Sequence, residues 1–280
     1  MVNPAAYVKN ARPFLKWAGG KQRLLPQYVP FFPSRETINR YFEPFIGSAA
    51  VFFHYQFPQA RLSDRNDKLI EAYKMVRDQT EQVIAALQGR RNEADYYYAV
   101  RAQEPASLSP VERAARLIYL NKTCYNGLYR ENNKGAFNVP FGRYNNPKIC
   151  DEPRLRAAAA ALRGVDLCAA DFAEAVETAV PHDFIYFDPP YVPLSQTSNF
   201  TSYNGAGFGY DDQVRLAETV HRLTAVGVRV AVSNSSANLV YELYNQPAYR
   251  LIEIQARRNI NSQANKRGAV KELLILNYEG

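Results

Sequence analysis

The chain has 280 residues and 47% hydrophobic content, enough for one large α/β domain or a core domain carrying a smaller insertion. No run of eighteen apolar residues occurs and Met1 to Pro13 has no apolar stretch of signal-peptide type, so neither a membrane span nor a leader is expected, and the cytoplasm is the expected compartment. Three scattered cysteines (Cys124, Cys150, Cys168) and three scattered histidines (His54, His182, His221) offer neither a disulfide framework nor metal-ligand spacing; they read as core or boundary residues and as surface residues, respectively, with no metal expected. A formal charge of +7 with twenty tyrosines favours a polyanionic partner, through phosphate neutralisation and ring stacking.

In chain order, Tyr41 to Phe45 reads as a strand end, Ala49 to Tyr55 as a helix, and Ala60 to Asp64 as a short strand ending in an acid. Asn66 to Gln88 reads as one long helix, with Leu69, Ile70, Tyr73, Val76, Val83, Ile84 and Leu87 at helical spacing and Gly89 as its stop. Glu93 to Gln103 and Pro110 to Leu120 look helical, and Asn121 to Pro147 lacks a helical period and reads as a loop or β-hairpin. A helix starts near Glu152 and contains the five alanines 157–161; Val165 to Ala169 follows as a strand. Asp183 to Phe187, almost without polar residues, is a buried central strand. Ser195 to Tyr210 is a long polar loop, Asp211 to Val226 a helix and Val228 to Ser233 a strand. The final strands, Tyr249 to Ala256 and Val270 to Asn277, enclose a basic loop. The alternation argues an α/β fold, with a doubly wound, mainly parallel sheet and an insertion in its middle.

Asp188-Pro189-Pro190-Tyr191 follows the buried strand directly, where open α/β sheets place ligands. Each proline disfavours the α region for the residue before it and lacks a backbone N–H. A carboxylate and a carbonyl remain as acceptors, followed by a flat ring. An exocyclic amine on a planar base is the complementary shape, and a rigid turn is the plain alternative. Gly19-Gly20-Lys21 reads equally as a turn before a helix. Asp64 stands where nucleotide-binding folds hold ribose hydroxyls, with a helix N-cap as its rival role. Asp171 is open to the same cap reading. Arg116 to Lys148 has six basic residues, one acid, seven asparagines, four tyrosines and two phenylalanines; it is a solvated loop or a surface able to read base edges.

Asp188-Pro189-Pro190-Tyr191 resembles the motif of amino-methyltransferases acting on DNA bases. Phe14-Leu15-Lys16-Trp17-Ala18-Gly19-Gly20-Lys21 resembles their N-terminal cofactor motif, and Glu43-Pro44-Phe45-Ile46-Gly47 their glycine motif. Asn121 to Arg130 with Gly135 to Tyr144 is similar to the recognition segment of the DNA adenine methylase family, and the basic loop near Arg257 to Lys271 also matches. The resemblance covers nearly the whole chain, in the family's order. It implies an S-adenosylmethionine-dependent methyltransferase fold, with catalytic core over 1–64 and 148–280 and a mainly helical target-recognition insertion with a β-hairpin over 65–147. It implies a cofactor site of Trp17, Ala18, Gly19, Gly20, Lys21, Phe45, Gly47, Asp64, Asp171, Phe172 and Asp188, and a catalytic site of Asp188, Pro189, Pro190 and Tyr191. Its DNA-contacting set is Lys16, Asn121, Tyr125, Asn126, Leu128, Arg130, Asn138, Pro140 and Arg143. Within it Arg130 reads guanine, Leu128 and Pro140 make apolar contacts, Tyr125 is the wedge behind a flipped base, and Arg143 and Asn138 meet phosphate. The expected reaction is methylation of adenine N6 at GATC in duplex DNA by a monomer. Ala49 departs from the pattern, standing where the family has a second glycine. Methylation of cytosine N4, RNA adenine or a glutamine amide, and a non-catalytic DNA-binding module, remain as alternatives.

Overall fold

The computed structural model describes residues 7–194, 207–257 and 269–279. Its helices and strands in chain order are α1 (Leu25–Tyr28), β1 (Tyr41–Glu43), α2 (Ala50–Tyr55), β2 (Ala60–Asp64), α3 (Asp67–Asp78), α4 (Thr80–Leu87), α5 (Ala94–Ala102), α6 (Pro110–Thr123) and α7 (Glu152–Ala161). They continue with β3 (Asp166–Ala169), α8 (Phe172–Ala175), β4 (Phe184–Phe187), α9 (Tyr210–Ala225), β5 (Arg229–Ser235), α10 (Asn238–Tyr244), β6 (Arg250–Arg257) and β7 (Ala269–Leu276). The chain forms two compact units, one of Met1–Gln22, Gly47–Pro58 and Asp64–Ala169, the other of Arg23–Ile46, Gln59–Ser63 and Ala170–Gly280.

The second unit is built on sheet. Its strands run in the order β2-β1-β4-β5-β7-β6. β1 pairs in parallel with β2 and β4, β4 pairs in parallel with β5, and β7 alone is reversed, antiparallel to both β5 and β6. The α/β class and mainly parallel sheet read from the sequence are those observed. Phe42, Ile185, Phe187, Val230 and Val232 meet Leu216, Val220 and Leu223 of α9 and Val240 of α10 in one apolar cluster. Each such side chain contributes roughly 1.5–3 kcal/mol by leaving water. Asp183, fully buried before β4, is held by the Arg40 guanidinium at 2.7 Å and by the Val180 N–H, which fixes the strand's entry.

The first unit is mainly helical, with α6 packed against α3, α4 and α5, and α7 against α3 and α4. α6 starts at a capping box: Ser109 accepts from the Glu112 N–H while Glu112 accepts from the Ser109 N–H, and Pro110 occupies the first turn. Four readings are corrected here. The helix expected over Asn66 to Gln88 is two, broken at Gln79 (φ −133°, ψ 39°), although every apolar position named for it is buried. α6 runs on to Thr123, so the segment read as loop begins helical. Beyond it the chain makes two isolated antiparallel bridges, Cys124 with Phe141 and Glu131 with Phe137, instead of a hairpin ladder. His221 is not an ordinary surface residue: its Nδ1 lies 2.5 Å from the Tyr249 hydroxyl, in an aromatic cluster with Tyr244. Helix α10 went unrecognised, because Ser235 to Asn238 and the short apolar pattern after it mark no clear start.

Residues 195–206 of the expected polar loop and 258–268 of the basic loop lie outside the described residues. Among the described residues no helix is long and apolar enough to cross a membrane, and no group of three His, Cys, Asp or Glu side chains is placed to hold a metal.

Candidate active site

β4 delivers four residues at 0% exposure and then the turn Asp188-Pro189-Pro190-Tyr191. In the parallel register Phe187 faces Val232, so the next residue of β5, Ser233, comes alongside Asp188. Its hydroxyl donates to Asp188 Oδ1 at 2.7 Å. The Tyr191 hydroxyl donates to Glu272 of β7 at 2.8 Å. The rest of the turn is gripped from α9 and β5: Gln213 donates to the Pro190 carbonyl at 2.8 Å, and the Val192 N–H donates to Asn234 Oδ1 at 3.1 Å. Asn234 in turn donates to Gln213 Oε1 at 3.1 Å, closing the network. Pro189 is buried and Pro190 exposed. Burial raises the Tyr186 and Tyr191 phenols well above their ordinary range, as it does Tyr28, to which the Asp188 and Glu272 charges add. All three phenols therefore keep their protons at neutral pH.

In the same unit Phe45, just past β1, stacks on Phe172 at 5.6 Å between ring centres, and Phe208 meets both edge-on or tilted. Asp171 is the N-cap of α8, accepting the Ala173 N–H at 3.0 Å. Its two oxygens also take both Arg215 guanidinium nitrogens, at 2.6 and 2.9 Å, while that guanidinium lies 4.2 Å from the Phe172 ring centre.

In the first unit, Trp17 to Lys21 forms a tight turn: the Gly20 N–H returns to the Trp17 carbonyl at 3.1 Å, and Lys21 Nζ donates to the Gly19 carbonyl at 2.6 Å. Ala18, Gly19 and Gly20 are exposed and Lys21 is buried. Trp17 stacks on Tyr129 at 5.4 Å. Gly47 adopts φ +45°, and a Cβ there would stand 2.8 Å from Trp17 Cδ1, so glycine is required twice over. Ala49 keeps the left-handed geometry of a glycine (φ 53°, ψ 36°), a strain on the order of 1 kcal/mol. Asp64 is not the helix cap; Asn66 is, accepting the Leu69 N–H. The Asp64 carboxylate accepts the Asn66 N–H at 3.0 Å and the Gly47 N–H at 3.5 Å, and burial raises its pKa.

Asn121 spends its amide on backbone. It accepts the Lys16 N–H at 2.8 Å and donates to the Lys16 and Gly127 carbonyls at 2.6 and 3.2 Å. Lys16 lies 3.7 Å above the Tyr144 ring centre, and its pKa is lowered by burial. Tyr125 is 49% exposed, with its N–H on the Pro140 carbonyl at 2.8 Å, and Asn126 beside it is left-handed (φ 55°). Arg130 Nε donates to Asn138 Oδ1 at 2.7 Å across the loop. Arg130, Pro140 and Arg143 are exposed; Leu128 and Asn138 are half-buried. The nominated DNA-contacting residues thus fall on one N-terminal turn, the last turn of α6 and the folded loop after it, all in the same unit. Residue patterns had not pointed to Ser233, Asn234, Glu272 or Gln213. The available signal was polar residues breaking the apolar runs of β5 and β7.

A family model describing D12 class N6 adenine-specific DNA methyltransferases matches residues 17–260. A type II methyltransferase of Lactococcus lactis subsp. cremoris, M1.LlaDCHI, is 43% identical over 96% of each chain. A type II methyltransferase of Methanocaldococcus jannaschii, M.MjaIII, is 40% identical over 95% of this chain and 99% of its own. The DNA adenine methylase of Escherichia coli is 36% identical over 98% of each. With a buried-strand Asp-Pro-Pro-Tyr turn at its centre, the chain belongs to the D12 class of N6 adenine-specific DNA methyltransferases.

Proposed function

We propose that the protein methylates adenine N6 at GATC in duplex DNA, using S-adenosylmethionine and extruding the target nucleotide from the stack, and that it acts as a monomer. The observation that carries this is the turn after β4, where the Asp188 carboxylate and the Tyr191 ring are each locked by a strand neighbour. Methyltransferases of this kind generally use S-adenosylmethionine, which supplies an electrophilic methyl on a sulfonium. The residues suit such a molecule. Asp64 is a desolvated acceptor matched to hydroxyl donors, and Phe45 and Phe172 offer an apolar, aromatic surface for a purine. Trp17 to Lys21, Gly47 and Asp171 complete the proposed set.

Adenine N6 lies inside the duplex, so the base must be flipped out before reaction. The N6 lone pair is delocalised into the ring. Acceptance of the two N–H groups by the Asp188 carboxylate and the Pro189 carbonyl favours a pyramidal nitrogen. Positive charge grows on that nitrogen as the methyl arrives, so a fixed carboxylate favours the transition state over the ground state. Tyr191 stacks on the base and holds it in line. Tyr125 fills the vacated stack, Arg130 reads guanine, Leu128 and Pro140 touch the pairs, and Lys16, Asn126, Asn138 and Arg143 make the remaining base and phosphate contacts. Asn121 serves by holding Lys16. Residues 65–147 supply this recognition insertion.

Tritium transfer from labelled S-adenosylmethionine to a GATC duplex, compared with the same duplex methylated at N6 on both strands, tests the reading. Transfer to the first alone is expected, and Asp188→Ala should reduce it at least a thousand-fold. Equal transfer to both would overturn GATC.

A further inference from the structure

Behind Asp188 lies a line of buried hydroxyls that this chemistry leaves unused. Ser233 and Tyr186 are both at 0% exposure, on adjacent parallel strands. Ser233 Oγ is 2.7 Å from Asp188 Oδ1 and 2.9 Å from Tyr186 Oη, against 3.5 Å to the Phe187 carbonyl. Its single proton therefore goes to the carboxylate, which as an anion only accepts. Tyr186 must then donate to the Ser233 oxygen, so the bonds point one way, from Tyr186 through Ser233 to Asp188. Polarisation along such a chain strengthens each bond in a low-dielectric interior.

A serine hydroxyl in an apolar strand normally returns to a nearby carbonyl. Here the three residues before it, Val230, Ala231 and Val232, are buried and apolar, and the hydroxyl is spent on the one carboxylate of the turn. An aspartate side chain has a broad torsion about its last bond. A buried donor on one oxygen fixes that torsion before the substrate arrives, which removes a reorganisation cost from the reaction.

We propose that Ser233 and Tyr186 are positioning residues for methyl transfer: Ser233 sets the rotation of the Asp188 carboxylate, and Tyr186 acts through Ser233. This rests on Asp188 being the acceptor for the substrate amine.

Rapid-quench single-turnover rates, with KM values and melting temperatures alongside, are to be measured for Ser233→Ala, Tyr186→Phe, their combination, Ser233→Cys and Asp188→Ala. A hydrogen bond to a charged group corresponds to about 10- to 100-fold in rate. Ser233→Ala should lower the transfer rate by that factor with KM for DNA and cofactor within about 2-fold. Tyr186→Phe should lower it about 3- to 10-fold alone and add nothing once Ser233 is alanine. Ser233→Cys, with the same shape and a weaker donor, should fall between wild type and Ser233→Ala, and it carries the comparison should the alanine variant not fold. A full rate for Ser233→Ala, or the same Tyr186→Phe factor in both backgrounds, overturns the relay. Full activity of Asp188→Ala overturns instead the reading beneath it.

Discussion

Lys122 sits in the last turn of α6 at 8% exposure, and burial, aided by the Arg154 and Lys16 charges, brings its pKa down to about 8. Below that pH the folded chain holds a desolvated cation. Between about pH 8 and the ordinary lysine value of 10.5, the unfolded chain keeps a proton that the folded chain has lost, so this residue's contribution to stability rises with pH across that window. Lys122→Met removes the buried charge. Its gain in unfolding free energy over wild type, from urea titrations, should be largest at pH 7, with a ceiling of about 3 kcal/mol, and should shrink steadily above pH 8. At this scale the sequence was readable where chemistry and position coincide, as at Asp188. It was silent where a partner comes from a distant strand, because Ser233 and Glu272 reach the turn only through sheet register. Tyrosine abundance has a second cause that composition does not separate from the first: Tyr28, Tyr41, Tyr73, Tyr97, Tyr119, Tyr186 and Tyr244 are fully buried and build the core.

The turn between β1 and α2 shows how an element's geometry reaches a distant side chain. Gly47→Ala would add strain at φ +45° and drive a methyl into Trp17. A loss of about 1–3 kcal/mol in urea unfolding is expected, together with a shifted emission maximum, since Trp17 is the sole tryptophan. Unchanged emission and stability would show that Trp17 yields at no cost. Strands were legible because β4 and β5 are short apolar runs, and α6 because its cap and period agree. The break at Gln79 was not: no glycine or proline marks it, and the apolar spacing continues across it at Val83, Ile84 and Leu87.

Across the whole molecule, the chain passes between its two units after Gln22, Ile46, Pro58, Ser63 and Ala169. Neither unit is a continuous stretch. The longest piece of the first, Asp64–Ala169, lacks Phe14, Leu15, Val51, Phe52 and Phe53, all buried. Expressed alone, that fragment should show no sharp thermal transition by circular dichroism. A cooperative melt would show that the two missing segments are accessory to its core. A mainly helical middle between sheet-forming ends could be anticipated from the alternation of strands and helices; the short returns at Gly47–Pro58 and Gln59–Ser63 could not, since nothing local marks them.

The Asn121 clasp also has a history in time. Its two bonds to Lys16 join residues 105 positions apart, and drawing a loop of that length closed costs roughly 4 kcal/mol of chain entropy. No part of that cost is recovered until α6 exists to present the amide. On the ribosome, the N-terminal turn must therefore wait, unfastened, while more than a hundred further residues are made. The turn and the loop proposed to meet DNA are then fastened to each other only once α6 is in place, while more than half of the chain is still to be made.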